Sequence, residues 1–202
     1  MIGVFIEPES NLYDFIKKWK KNLLNNYNNT SYTKHPPHLS LYVADLKSEE
    51  KFLSKMNNVL CNFNQFEIFV NNIGLFENDL FTKKDTLYLN VKKNKNLIIL
   101  QLKIAEIGKK YLSKKKMEDN NILSSNLLLK NSFKKFGFPF VGPHWIPHFT
   151  IASIQNFAYE NKYKYLKKKK IKFISRVNIV SIWKINKDTH FKIKEIRLKN
   201  IK

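Results

Sequence analysis

The sequence predicts an α+β fold in which antiparallel sheet carries helices on its outer faces. Short segments of alternating apolar residues are interleaved with longer segments whose apolar residues recur at helical spacing. The order strand, helix, strand, helix, strand occurs twice as a loose internal repeat. This order is too interrupted for a series of βαβ units, and the sequence has no glycine-rich phosphate loop. Antiparallel sheet covered by helices is the natural packing for such a pattern.

The size and composition indicate one domain that spans residues 1–202. Of these residues 43% are hydrophobic, including 16 Phe, 9 Tyr and 3 Trp, which is ample for a core and excludes a disordered chain. The single cysteine, Cys61, excludes an internal disulfide framework and fits a reducing, cytoplasmic location. No apolar run reaches the roughly 18 residues of a membrane helix. We expect a monomer without a signal peptide or a membrane contact.

The first half of the chain predicts two helices and two strands. Alternation of Ile2, Val4 and Ile6 predicts a first strand, and Ser10 is expected to cap the helix that follows. That helix buries apolar residues at i, i+3 and i+4 spacing, namely Leu12, Phe15, Ile16, Trp19 and Leu23. A strand is expected over about 38–43, after two prolines that favour extended backbone. Ser48 opens a second helix with acidic residues in its first turn.

The second half predicts further strands and helices in a similar order. Phe66, Ile68 and Val70 alternate as a strand that Gly74 is expected to break. The segment 113–135 is polar and lysine-rich, and the sequence does not choose between an inserted helix and a mobile loop there. The other predicted elements are a strand at about 86–91, a helix at 95–112, a strand at 148–154, a helix at 159–166 and two strands at 172–185 and 191–198.

A five-residue pattern of proline, histidine, apolar, hydroxyl and apolar residues occurs twice, 110 positions apart. The two copies are Pro-His-Leu-Ser-Leu at 37–41 and Pro-His-Phe-Thr-Ile at 147–151. Because strand side chains alternate between faces, His38 and Ser40 share one face, and His148 and Thr150 do the same. The intervening apolar residues point into a core. Two such strands side by side would form a pocket with two imidazoles and two hydroxyl groups.

The paired strings resemble the signature of the 2H phosphoesterase superfamily, which includes bacterial 2'-5' RNA ligases and cyclic phosphodiesterases of tRNA splicing. The resemblance covers most of the chain in element order, with Ser40 where threonine is more usual. It implies two pseudo-symmetric lobes of antiparallel sheet with outer helices around a central cleft. It also implies phosphodiester chemistry without a metal or cofactor, with His38, Ser40, His148 and Thr150 as the catalytic residues.

The chemistry of these residue types suits that activity. Histidine has a pKa near 6.5, so that one imidazole can be neutral and the other protonated at working pH. The neutral ring takes a proton from the attacking water or ribose hydroxyl, and the protonated ring gives one to the leaving oxygen. The hydroxyl groups stabilise charge on the non-bridging oxygens. The sequence does not say which histidine is the base.

Three further residues are candidates for substrate binding. Tyr42 lies four residues after the first motif histidine, so that strand alternation places it on the cleft face, although a core position is equally consistent. Trp145 is a candidate for stacking on a base, with packing at the rim as the alternative. His144 and His35 precede the motifs as rim histidines or as contacts to phosphate or base. His190, at the start of the last strand, is expected to be structural or solvated.

A metal centre is disfavoured. The pairs His35-x2-His38 and His144-x3-His148 resemble the spacing of metal ligands. Pro147 lies inside the second pair, however, and in an extended chain its two histidines would lie roughly 13 Å apart. Neither motif has a nearby acidic residue or cysteine to complete a metal site.

The charge of the chain suggests a polyanionic partner such as RNA, an oligonucleotide or a cyclic nucleotide. The net charge is +21. Only Arg176 and Arg197 are arginines, and asparagine occurs 25 times, so an AT-rich coding sequence explains the lysines equally well. The sequence therefore favours a metal-independent phosphodiesterase acting on RNA-type 2',3'-cyclic phosphate or 2'-5' bonds. The alternative is a non-catalytic basic module of the same fold that binds RNA or nucleotides.

Overall fold

Eight strands and five α-helices are formed by residues 1–113, 126–186 and 190–200, which the computed structural model describes. In chain order they are β1 (Ile2–Ile6), α1 (Ser10–Asn26), β2 (Leu39–Ala44), α2 (Glu49–Leu60), β3 (Phe66–Phe76), β4 (Asp85–Lys92), α3 (Lys95–Lys109), α4 (Leu127–Phe136), β5 (His148–Ile154), α5 (Asn161–Lys167), β6 (Phe173–Val177), β7 (Ile179–Ile185) and β8 (His190–Arg197). All strand pairs are antiparallel, which confirms the predicted α+β class.

The strands form one sheet made of two matched halves. Its order is β6-β3-β4-β5-β2-β1-β7-β8, so that each half has four strands and a motif strand at its inner edge. The halves meet where β2 pairs with β5, and the one residue pair of that ladder is Leu39 opposite Phe149. Both of these side chains are fully buried, as the alternation predicted. The arrangement confirms the expected pair of pseudo-symmetric antiparallel lobes.

The helices cross the seam between the two halves. Helix α1 follows β1 but packs against β5, whereas α3 follows β4 but packs against β2. Both helices bury apolar faces, through residues such as Leu12 and Ile16 of α1 and Leu100 and Ile104 of α3. Each lobe therefore contributes a helix to the motif strand of the other lobe, and this packing supports a seam that has few main-chain hydrogen bonds. Within the described residues, no helix combines the length and apolar composition needed to cross a bilayer.

Two local predictions in the first half of the chain need correction. Helix α1 starts one residue earlier than the expected cap implies, because Glu9 occupies the cap position and Ser10 is already helical. Strand β3 continues through Gly74, which pairs with Tyr88 of β4. A Cβ atom added at Gly74 would lie 2.2 Å from Cζ of Tyr88, so this glycine allows a close approach of the ring instead of ending the strand.

The predicted strand at 172–185 is two strands that lie in opposite lobes. Strand β6 pairs with β3, the chain leaves the ladder at Asn178, and β7 pairs with β1. The apolar alternation is similar on both sides of this residue, so the sequence does not reveal the crossing. Within the segment 113–135, residues 127–135 belong to α4, which packs on α3. The expectation for residues 114–125 falls outside the described residues.

Candidate active site

The two motifs face one another across the seam of the sheet. Leu39 is paired with Phe149 in an antiparallel register. Leu39 lies between His38 and Ser40, and Phe149 lies between His148 and Thr150. The two histidines and the two hydroxyl residues therefore flank the one residue pair that joins the motif strands.

Each motif strand carries a β-bulge immediately after its hydroxyl residue. In the β1–β2 ladder, Val4 pairs with Tyr42 and Phe5 with Ser40, which leaves Leu41 as the extra residue. In the β4–β5 ladder, Leu87 pairs with Ala152 and Tyr88 with Thr150, which leaves Ile151 as the extra residue. The bulges occupy the same position in both strings. Bulges re-aim side chains and are common beside active sites.

The bulge corrects the prediction for Tyr42. Because one residue is added at Leu41, the alternation of faces is reset and Tyr42 turns away from the cleft. Its side chain is fully buried, and its hydroxyl donates to the carbonyl oxygen of Phe136 at 2.6 Å. The ring also packs against Gly108, where an added Cβ would lie 2.3 Å from Cε1 of Tyr42. The expectation that Tyr42 contacts substrate is wrong, and the core alternative describes it.

The two motif histidines are held by identical hydrogen bonds. Nδ1 of His38 lies 2.8 Å from the carbonyl oxygen of Pro36, and Nδ1 of His148 lies 2.7 Å from that of Ile146. A carbonyl oxygen can only accept, so Nδ1 carries the proton and donates in both rings. Nε2 is then the unprotonated nitrogen of each neutral imidazole, available to take a proton. The repeated bond orients both rings in the same way relative to their strands.

Aromatic rings from the neighbouring strands pack on both histidines. Phe5, which pairs with Ser40, lies with its ring centroid 4.4 Å from that of His38. Tyr88, which pairs with Thr150, lies 5.2 Å from His148. Phe76 stacks on Tyr88 at 4.2 Å and approaches His148 edge-on at 5.0 Å. These contacts restrict the motion of both imidazoles and remove water from one side of each ring.

The electrostatic surroundings of the two histidines differ. Burial lowers the pKa of His38 to about 3, against the effect of the Pro36 carbonyl, and the positive charges of Lys20, His35 and His148 lower it further. Burial also lowers the pKa of His148, but the Ile146 carbonyl and the carboxylate of Asp79 oppose this change. The neighbours that influence His38 are thus basic groups, while His148 has an acidic one. The two histidines therefore have matching hydrogen bonds to the backbone but different electrostatic surroundings.

The hydroxyl groups of Ser40 and Thr150 are free to meet a ligand. Both residues are half-buried. Neither hydroxyl forms a hydrogen bond with another group in the described part of the chain. Trp145, in contrast, is 3% exposed, and its Nε1 donates to the backbone carbonyl of Ser40 at 3.0 Å. The expected stacking of Trp145 on a base is therefore wrong, because its ring is committed to holding the two motifs together.

The three remaining histidines lie outside the two motifs, one ahead of the second motif and two beside the first. His144 ends a 3₁₀ turn at Gly142–His144 just ahead of the second motif, where it is half-buried, and its contact with substrate stays a prediction. His35 and His190 pack together with ring centroids 4.4 Å apart, beside the first motif. Sequence reasoning missed this pair because 155 positions separate the two residues. It also missed Lys20, a buried lysine on α1.

The described residues contain no group of three or more His, Cys, Asp or Glu side chains arranged to hold a metal ion. The pairs His35 and His38, and His144 and His148, each precede a strand, and none of the four side chains converges with a carboxylate ligand set there. Among the described residues, the reactive groups at the seam are the two motif imidazoles and the two motif hydroxyl groups, with the ammonium group of Lys20 nearby.

Comparison with known proteins identifies the type of fold and family. A family model described as the 2'-5' RNA ligase superfamily matches residues 8–189. No curated protein sequence matches the chain. The structure of TT0787 from Thermus thermophilus has a TM-score of 0.67 at 9% identity, with 98% of each chain covered. The structure of E. coli LigT complexed with 3'-AMP has a TM-score of 0.55 at 11% identity, with 98% of this chain and 97% of that chain covered. At these sequence identities, both comparisons show a similarity of fold alone.

Proposed function

This chain belongs to the 2'-5' RNA ligase superfamily, and we propose that it is a metal-independent phosphodiesterase acting on RNA-type 2',3'-cyclic phosphate or 2'-5' phosphodiester bonds. The observation that carries the proposal is the pair of identically tethered histidines, which flank the Leu39–Phe149 pair at the seam together with the hydroxyl residues of both motifs. A protein that only binds nucleotides has no need for two imidazoles with both Nε2 atoms left free by the same tether. General acid–base catalysis needs two such rings, one unprotonated at Nε2 as the base and the other protonated there as the acid.

His38 is the general base in this proposal. Burial first, and the basic neighbours Lys20, His35 and His148 second, hold its pKa far below the ordinary value, so the ring is neutral at working pH. Its Nε2 removes a proton from water while the water oxygen attacks phosphorus. For cleavage of a 2'-5' bond, the ribose hydroxyl next to the phosphate can replace water as the nucleophile, in which case a cyclic phosphate is the first product.

His148 is the general acid. The carboxylate of Asp79 favours its protonated form, against the effect of burial. As the bond between phosphorus and the leaving ribose oxygen breaks, that oxygen takes the proton from Nε2 of His148. After this step His38 is protonated and His148 is neutral, and proton exchange with water restores the starting state of both rings. Ser40 and Thr150 donate hydrogen bonds to the non-bridging oxygens, where charge develops in the transition state.

The structural neighbours support a ribonucleotide ligand. LigT of E. coli shares the fold and was solved with 3'-AMP bound. A nucleoside monophosphate presents the same ribose and phosphate groups that the proposed site would hold. The net charge of +21 also favours a polyanion, although it does not select one.

The test is a product-resolved assay against 2',3'-cyclic nucleotides, 2'-5' and 3'-5' oligoribonucleotides and fully deoxy oligonucleotides. We expect turnover of at least one 2',3'-cyclic or 2'-5' substrate, no turnover of DNA, and no loss of rate after dialysis against EDTA. His38→Ala and His148→Ala should each lower kcat by roughly 10²–10⁴-fold, with little added loss in the double variant. Circular dichroism checks that each variant is folded.

Three outcomes would contradict the proposal. A single histidine variant that keeps more than about a tenth of the wild-type kcat would exclude the two-histidine mechanism. Loss of activity in EDTA that zinc or manganese restores would instead support a metallohydrolase. Tight nucleotide binding without any turnover would support the non-catalytic binding module.

A further inference from the structure

Lys20 is a buried cation whose N–H donors have no role in the proposed reaction. It lies on α1, and only 4% of its surface is exposed. Its Nζ donates one hydrogen bond, to the backbone carbonyl of Tyr32 at 2.7 Å. An ammonium group has three N–H donors. The other two have no acceptor among the described residues, and no carboxylate there forms an ion pair with Nζ.

The groups around Lys20 are basic as well. The ring of Tyr32 packs on His35 with centroids 5.6 Å apart, and His35 packs on His190 at 4.4 Å. Burial lowers the pKa of His35 to about 4, and the charges of His190 and Lys20 lower it further. Lys20 also lowers the pKa of His38. Lys20, His35 and His190 therefore form a basic cluster on the His38 side of the site.

The carboxylate of Asp79 does not neutralise this cluster. The carboxylate of Asp79 acts on Tyr32, whose pKa is raised to about 12 by burial first and by Asp79 second, and on His148. Oδ1 of Asp79 accepts from the backbone N–H groups of Phe81 and Thr82 in its own loop. Its charge is not among the influences on His35 or His38.

A buried ammonium without a counterion is unfavourable for folding, because the charge is removed from water and nothing replaces its solvation. Burial accordingly lowers the pKa of Lys20 to about 7. An anion bound beside Nζ of Lys20 would stabilise the charged ammonium form. It would also accept hydrogen bonds from the two N–H groups that lack an acceptor among the described residues. Strongly perturbed groups of this kind concentrate at functional sites.

We propose that Lys20, together with His35 and His190, binds a second phosphate group of the substrate, on the His38 side of the phosphate that reacts. This inference rests on the proposed function, since it uses the same site. It narrows the substrate to a nucleotide or oligonucleotide that carries a phosphate next to the reacting one. A nucleoside 2',3'-cyclic phosphate alone would leave the cluster unfilled.

Binding of adenosine mono- and bisphosphates tests the proposal without turnover. The probes are adenosine 2'- and 3'-monophosphate, the matching 2',5'- and 3',5'-bisphosphates, and inorganic phosphate, each titrated at pH 6 with the Cε1–H signals of His35 and His190 followed by NMR. We expect at least one bisphosphate to bind roughly tenfold more tightly than its monophosphate, the effect of one or two charge-assisted hydrogen bonds. We also expect that bisphosphate to move both histidine signals.

Variants of two neighbouring lysines separate a phosphate contact from a structural role. Lys20→Met removes the charge and keeps the length of the side chain, and it should abolish the advantage of the bisphosphate while leaving monophosphate binding within about twofold. Lys21→Met is the matched control, because Lys21 is exposed on the same helix, and it should keep the full advantage. Lys20→Met should also fold, since a methionine avoids the desolvation of a buried ammonium; the melting temperature checks this.

Several results would overturn the inference. One is equal affinity of the wild type for monophosphates and bisphosphates, and another is an advantage that persists in Lys20→Met. A Lys20→Met protein that loses both ligands equally would show that Lys20 only holds the Tyr32 backbone. If inorganic phosphate alone produced the same Lys20-dependent shifts at the same concentration as the bisphosphate, the site would take free phosphate and not a group of the substrate. Inactivity against the whole substrate panel would overturn the proposed function, whereas these binding results would still decide the role of Lys20.

Discussion

At the scale of single residues, the two motif histidines are alike in geometry and different in electrostatics. Each Nδ1 donates to the carbonyl two residues upstream, and each ring packs against an aromatic side chain. The difference comes from residues remote in sequence. Lys20 and His35 disfavour protonation of His38, whereas Asp79 favours protonation of His148. The structure therefore offers a physical reason to propose His38 as the base and His148 as the acid.

The pH profile of kcat/KM should reflect this difference. The base must be neutral, so activity should rise with pH through the pKa of His38, about 3. The acid must be protonated, so activity should fall as pH rises through the pKa of His148, which lies below its ordinary value. The maximum should therefore be acidic, below about pH 6.5. Steady-state rates between about pH 2 and 8 give the two limbs.

Asp79→Asn provides the matched test of the acid limb. Removing the carboxylate should lower the pKa of His148 further and move the falling limb to lower pH. Asp14→Asn, an exposed change on α1, should leave both limbs in place. A maximum near pH 8, or an Asp79→Asn profile identical to that of the wild type, would contradict the assignment of acid and base.

The hydroxyl residues should matter less than the histidines. Ser40→Ala and Thr150→Ala each remove one donor to the non-bridging oxygens, and we expect kcat to fall by roughly 10–10³-fold. Ser40→Thr keeps the donor and should be nearly silent, and Ser54→Ala, exposed on α2, is the control. A loss as large as that of the histidine variants would indicate a nucleophilic hydroxyl and a covalent intermediate.

At the scale of elements, paired bulges and paired close contacts shape the site. Leu41 and Ile151 are the extra residues of β2 and β5, at the same position of each motif. The rings that flank the histidines lie over glycines: Phe5 over Gly3, and Tyr88 over Gly74. Each glycine leaves the space that its aromatic neighbour occupies. The position of each imidazole thus depends on a residue that has no side chain.

Alanine at these two glycines should have different effects. At Gly74 the new Cβ would lie 2.2 Å from Cζ of Tyr88, and because Tyr88 is half-buried its ring can move, away from His148. We expect Gly74→Ala to lower kcat several-fold and to change the melting temperature little. At Gly3 the Cβ would lie 2.3 Å from Cζ of Phe5, which is only 6% exposed. Gly3→Ala should therefore mainly destabilise the fold, by roughly 1–3 kcal/mol.

Thermal unfolding and steady-state kinetics of both glycine variants give the comparison. The pair serves as its own control, because both changes add one methyl group to a strand beside a motif histidine. If Gly74→Ala destabilised the protein as much as Gly3→Ala and kept full kcat, Tyr88 would have no part in positioning His148.

At the scale of the whole molecule, the two lobes are joined by packing and by few main-chain hydrogen bonds. The motif strands share one residue pair, and α1 and α3 each cross to the opposite motif strand. Trp145, two residues before the second motif, donates to the backbone carbonyl of Ser40 in the first. The proposed catalytic groups therefore come from both halves of the chain, and the candidate site forms only when the halves are docked.

The charge of the whole molecule predicts a salt-dependent preference for long substrates. With a net charge of +21, phosphates outside the site are attracted by a sequence-independent force that added salt screens. Between 50 and 200 mM salt, we expect kcat/KM to fall roughly tenfold or more for an oligonucleotide and much less for a mononucleotide with the same reacting bond. Equal salt dependence for the two substrates would mean that the lysines form a solvated surface and not a binding surface.

The sequence by itself determined the fold class, the repeated strands and the residues of the two motifs. These features are local, because strand alternation, helical periodicity and the two matched strings are each readable within a few positions. The duplication also indicated that the motif strands would be equivalent, and the antiparallel pair of Leu39 and Phe149 agrees with that equivalence.

Only the tertiary structure decided which side chains reach the site. A bulge at Leu41 turned Tyr42 into the core, although simple alternation places it on the cleft face. A hydrogen bond to the Ser40 carbonyl holds Trp145 in a buried position, although it lies just ahead of the second motif. The pairing of His35 with His190 and the burial of Lys20 depend on segments distant in the chain that are brought together by packing. Charge and burial act through space, so the difference between the two histidines arises only when the lobes are assembled.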